Sequence, residues 1–264
     1  MNKSDKHNHH YLPRFYLKYW ANEKNKVWVY RLHDSNEIRL PNPSPLHIDK
    51  VCSEDYLFSI GNDNSIEEWA DRNVENHCAP TFKKIVRQER LSDDDIFNIK
   101  AFLSLTMARH PLMKESSKVI LNALSHDTDP LNPLAQTIRL RMSSNLIAFD
   151  QLNLQILCIS KEIDACFITS DVPFFIVAEL VKEVLGNREI DKPEFAHIWF
   201  PISPKTLAFL SKVNRSSVYE VIANPVRIEN INLELASCAK DLLIANKSNM
   251  FEKYPNFTRR NSVG

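Results

Sequence analysis

The chain has 264 residues, 44% hydrophobic and 25% charged, and its 33 Lys+Arg balance 33 Asp+Glu for a formal net charge of zero. That length supports a sizeable core, and the zero net charge removes the overall positive field that draws proteins non-specifically to nucleic acid or anionic membrane. No apolar run approaches the ~20 residues that span a bilayer, and the polar first ten residues hold no secretory apolar core, so a cytoplasmic protein is expected. The five cysteines (Cys52, Cys78, Cys158, Cys166, Cys238) are scattered and form no CxxC, which fits reduced thiols and speaks against a structural zinc site. Only three glycines occur, Gly61, Gly186 and Gly264. Phosphate-binding loops, dinucleotide folds and the GxSxG nucleophile elbow need closely spaced glycines, so none of them can be built here.

In chain order, residues 1–7 are polar and read as a flexible tail. Tyr11, Phe15 and Tyr19 recur at helical spacing around Pro13, which suits a first helical turn, and predict one short helix packed on the core. Residues 27–32 predict a strand, 36–45 a loop with three prolines, and 56–60 a second strand stopped by Gly61. Ser65 and Glu68 form a capping-box pair ahead of an apolar helical face: Ile66, Trp69, Ala70, Val74, Cys78, Phe82 and Ile85. Pro80 removes a backbone donor inside this helix and is expected to kink it. Ser92-Asp93-Asp94-Asp95 opens a second helix, since carboxylates suit a helix start, and it ends near Arg109-His110-Pro111. A third helix is expected over 112–124, a turn-rich break over 125–133 and a fourth helix over 134–149.

The pattern then changes. Residues 154–160 and 166–169 read as strands joined by the charged turn 161–164 into a hairpin. Residues 175–185 read as a helix closing at Gly186. Strands are expected at 197–203, 207–210 and 218–223, and Pro201 and Pro204 place the first at an edge or end it early. Residues 230–245 form a closing helix, and 251–264 a second flexible tail. The fold class is therefore α+β: an N-terminal helix and strands, a central segment of three to four helices, then mainly antiparallel strands and a closing helix, as one domain over 8–250.

Three segments stand out. They are His10-Tyr11-Leu12-Pro13-Arg14-Phe15-Tyr16-Leu17, Ile168-Thr169-Ser170-Asp171-Val172-Pro173 and Phe200-Pro201-Ile202-Ser203-Pro204. With Ile66-Glu67 at a helix start and Arg109-His110-Pro111, their order and spacing resemble an uncharacterised bacterial family, the domain of unknown function 4238, over residues 8–250. The chain departs from that pattern at Val172, where Asn is common, and at Ile202, where Leu is common; the first removes a polar group. The resemblance implies a family and no reaction.

Four residues are the candidate site. Asp171 follows an apolar run and precedes Val172-Pro173, which stiffens its loop; it reads either as a metal ligand or general base, or as a turn or helix cap. His10 can act as acid, base or ligand because imidazole titrates near neutrality, or can be a buried hydrogen-bonding histidine. Glu67, with Glu75 eight residues on, lies on one helix; the two are about 12 Å apart along its axis and cannot chelate one ion without a third element. Arg109 sits in a last helical turn, where a cation is favoured in any case, or pairs with Asp171 or Glu67, or holds an anion. The aromatic stripe from Tyr11 to Trp20 reads as core packing before base or sugar stacking, and Cys166 as a buried thiol before a nucleophile. No Glu-x-Lys follows Asp171 or occurs anywhere, which lowers a restriction-type nuclease reading.

Two functions stay open. The first is an interaction or sensing module with a buried polar site, taking a small anionic ligand or a protein partner. The second is a metal-assisted hydrolase, of a phosphoester or nucleic acid, using Asp171, His10 and Glu67 with Arg109 on an anion and a divalent metal as cofactor. A defence role is a context for either, which no residue shows.

Overall fold

The computed structural model describes residues 8–32, 43–55, 65–111, 133–185 and 188–252. The strand expected at 56–60, the helix expected at 112–124 and the Ser65 side chain proposed as a cap lie outside the described residues. In chain order the elements are β1 (Asn8–His10), α1 (Arg14–Lys18), β2 (Lys26–Arg31), β3 (Ser44–His47), β4 (Ser53–Asp55), α2 (Ser65–Ala70), α3 (Asn76–Val86) and α4 (Asp93–Arg109). Then follow α5 (Pro133–Asp150), β5 (Asn153–Ile159), β6 (Thr169–Ser170), β7 (Phe175–Leu185), β8 (Arg188–Ser203), β9 (Thr206–Ser211), β10 (Tyr219–Ile222), α6 (Pro225–Cys238) and β11 (Leu242–Ala245). The fold is α+β, and among the described residues no helix is long and apolar enough to cross a membrane. The chain divides into two compact units, Met1–Lys18 with His47–Ile147, and Tyr19–Leu46 with Ala148–Gly264.

The first unit is mainly helical. β1 pairs antiparallel with β4, His10 opposite Ser53. The short α1 buries Tyr16 and Leu17. Phe82 of α3 and Phe102 of α4 meet edge to face at 5.0 Å, and Phe15 meets both at 5.5 and 5.3 Å. Each such ring pair adds about 0.5–1.5 kcal/mol beyond area burial. α4 begins with a full capping box: Asp95 N donates to Ser92 Oγ and Ser92 N to Asp95 Oδ2. α3 runs through Pro80. A π-helical turn, Asp71–Glu75, comes immediately before α3.

The second unit holds two sheets. The larger runs β10-β5-β9-β8-β7, antiparallel except for the parallel pair β10–β5; the smaller runs β3-β2-β11-β6. Several sequence expectations change here. Residues 175–185 are the strand β7 rather than a helix, paired along their length with β8. β8 is not an edge, because β7 and β9 flank it; Pro201 instead sits where the register with β9 shifts, a position at which the ladder does not need its missing donor. The closing helix stops at Cys238, and Leu242–Ala245 is the strand β11, buried between β2 and β6. The expected hairpin is absent: 154–159 and 169–170 fall in different sheets. Residues 166–168 satisfy their backbone by other means. Asn232 of α6 accepts from Ile168 N and donates to the Cys166 carbonyl, and Phe167 N donates to the Pro204 carbonyl. α6 itself starts at an Asn224 cap followed by Pro225, whose missing donor is harmless in a first turn.

Candidate functional site

A cavity of about 440 Å³ in the first unit is lined by His10, Pro13, Arg14, Phe15, Asp49, Glu67, Asp71, Glu75, Asn76 and Ala79. One side comes from the chain start. β1 ends at His10, whose Nε2 donates to the Ile48 carbonyl across 3.3 Å, leaving Nδ1 as an acceptor in the neutral ring. Pro13 then leads into α1, so Arg14 and Phe15 are presented from its first turn. Asp49, in the short 3₁₀ turn Ile48–Lys50, meets Arg14 Nε at 2.7 Å.

Another side is a row spaced every fourth residue: Glu67, Asp71, Glu75 and Ala79. In an uninterrupted α-helix such a row drifts by about 40° at each step, so its ends would point about 120° apart. The wider π-helical turn between α2 and α3 takes out part of that drift. Backbone geometry, as much as residue choice, therefore brings three carboxylates onto one cavity.

Behind the row lies Arg109. It is 4% exposed, donates from Nη1 to Glu75 Oε1 at 2.6 Å and from Nε to the Tyr11 carbonyl at 3.0 Å. Burial pushes Glu75 above the usual carboxylate range, although Arg109 pulls it back. Burial lowers His10, opposed by its bond to Ile48 and reinforced by Arg14 and Arg109. The net shift favours the neutral imidazole, against the pull of Asp49. Two titratable groups displaced in opposite directions on one cavity mark a candidate functional site.

Of the four residues singled out in the sequence, His10 and Glu67 line this cavity and Arg109 is bonded to its wall. The guanidinium read as a partner for Asp171 or Glu67 pairs with Glu75. Asp171 belongs to the second unit and is 1% exposed. Its Oδ1 accepts from Lys240 N at 2.9 Å and its Oδ2 from Asp241 N at 2.7 Å, while its own N donates to the Leu242 carbonyl. Ser170 Oγ closes the adjoining turn on Val172. These contacts tie the turn before β11 to β6. Burial raises it to about 6 despite the two amide donors.

Asp49, Asp71 and Arg14 went unremarked in the sequence. For Asp71 a signal existed, the four-residue spacing with Glu67 and Glu75; for Asp49 none did, because it reaches the cavity through tertiary structure. Among the described residues no group of three or more His, Cys, Asp or Glu side chains is arranged to hold a metal ion. The metal-assisted reading therefore gains no support there.

No curated protein and no solved structure matches the chain. One family model does, over residues 8–249, and it spans β1 to β11, both units and every residue of the cavity. The chain belongs to that family, described as Protein of unknown function (DUF4238).

Proposed function

We propose that the protein is a ligand-sensing module whose first unit binds a small organic cation, an ammonium or guanidinium compound with a short apolar stem. The observation that carries this reading is the lining of the 440 Å³ cavity, where Asp49, Glu67, Asp71 and Glu75 face inward beside Phe15. The nearby cations already have carboxylate partners, Arg14 on Asp49 and Arg109 on Glu75. This argues against the anionic ligand suggested by Arg109 alone. A guanidinium can take a carboxylate through two parallel bonds and lay its stem on the Phe15 ring.

The test is thermal melting and calorimetric titration of the full chain with agmatine and putrescine, with inorganic phosphate and citrate as anionic controls. Agmatine is expected to raise Tm and the anions to leave it unchanged, because a ligand at 100 times its Kd stabilises by about 2.7 kcal/mol. Asp71→Asn, at an exposed position, is expected to weaken agmatine without lowering the unliganded Tm. Stabilisation by the anions alone, or by none of the four, overturns the reading.

A further inference from the structure

We infer that Arg109 is a positioning residue of the cavity: one buried guanidinium ties together two chain segments that line it and fixes the carboxylate through which the ligand is held. The inference rests on the reading above and adds the residue on which affinity depends.

Three observations carry it. Arg109 Nε holds the Tyr11 carbonyl, between the lining residues His10 and Pro13, and Nη1 holds Glu75 on the helical row. Those segments are more than sixty residues apart, and Arg109 comes from a third element, the end of α4. The side chain is 3% exposed, so this bridge lies away from bulk solvent. Finally, Nη2 is buried without a hydrogen-bond partner among the described residues. A helix end that needed only a cation or an apolar plug would not keep a buried donor unmet. A planar fork is needed when two acceptors must be held in a fixed relation, which a lysine cannot do.

The consequence is electrostatic as well as geometric. Glu75 faces Arg109 of α4, Asp71 and Glu67 along its own row, and the Cys78 thiol of α3. His10, Arg14 and Asp49 line the same cavity from the chain start and the 3₁₀ turn. Taking away the guanidinium raises the pH at which Glu75 ionises. It also raises that of His10, on which Arg109 acts in the lowering direction. Both changes move cation binding to higher pH.

The experiment measures agmatine affinity of the full chain from pH 5 to 9, for the wild type, Arg109→Lys, Arg109→Gln and Glu75→Gln, with the unliganded Tm of each. Arg109→Lys keeps the charge and loses the fork; it is expected to stay folded and bind agmatine about tenfold or more weakly at pH 7. Arg109→Gln loses the charge and is expected to show its binding midpoint displaced to higher pH. Glu75→Gln is expected to flatten the part of the profile that Arg109→Gln displaces. A purely structural role would lower Tm and leave the midpoint in place. If the wild type binds agmatine and Arg109→Lys binds with the same affinity, or Arg109→Gln with the same midpoint, this inference is wrong and the proposed function stands. If the wild type binds neither agmatine nor putrescine, both fall.

Discussion

Arg109 and Glu75 form a buried ion pair, Nη1 to Oε1 at 2.6 Å, with side chains 3% and 13% exposed. Desolvating two charges costs several kcal/mol, and their attraction returns that only while both are present. Arg109→Ala therefore leaves a buried carboxylate uncompensated and is expected to destabilise the protein by about 3–5 kcal/mol. The double variant Arg109→Met with Glu75→Met should be milder than that single change, since it removes both charges. Urea unfolding of the three proteins checks this; a double variant less stable than Arg109→Ala would refute it.

Asp171 carries a pH dependence of definite sign. Its ordinary value of 3.8 is raised by burial to about 6 in the fold. The folded protein therefore holds this proton more tightly than the unfolded chain. Its contribution to stability is fully present below pH 3.8 and is lost as pH rises through about 6. The full swing is about 3 kcal/mol as an upper figure. Asp171→Asn should abolish that slope and should also destabilise, because an amide cannot accept from both Lys240 N and Asp241 N through its two heteroatoms. Urea titrations at pH 4, 5, 6 and 7 would show a difference between the two proteins that changes across this window; a constant difference would contradict it.

Asp95 has the opposite sign. Burial works to raise it, but Lys84, Ser92 and Thr81 together hold it down to about 2. Its contribution is present above pH 3.8 and is lost as pH falls through about 2. Ser92→Ala removes one half of the capping box and is expected to cost about 1 kcal/mol at pH 7. Acid unfolding should begin at a higher pH in that variant, which circular dichroism between pH 1.5 and 5 would reveal.

Local chemistry was the legible part of this chain. Ser92-Asp93-Asp94-Asp95 announced a helix start and the structure builds the box there; the strands around 197–203 and 207–210 lie within β8 and β9. Residues 175–185 misled because Val177, Val181 and Val184 also fit helical spacing, while the β-branched content and the Gly186-Asn187 pair after them fit a hairpin. β11 was misread for a different reason. It lies between two strands and is buried throughout, so its Leu-Leu-Ile-Ala run has no alternation to betray it. The run at 166–168 looked like a strand because it is apolar and buried, yet the Asn232 amide takes the place of a ladder. At the site, residue types pointed to His10, Glu67 and Arg109, but only tertiary structure could choose Glu75 as the partner of Arg109.

The π-helical turn has an implication for descent. Such a turn accommodates one residue more than the regular coil would at that place. A family member lacking that extra residue would run as a regular helix there, with its acids three residues apart at that step; about 300° of turn brings them back to one face. A member that kept the four-residue spacing and lost the wide turn would instead fan its acids out by about 40° at each step. Among homologues, then, a one-residue deletion between positions 67 and 79 should travel with loss of the wide turn and leave the acids side by side.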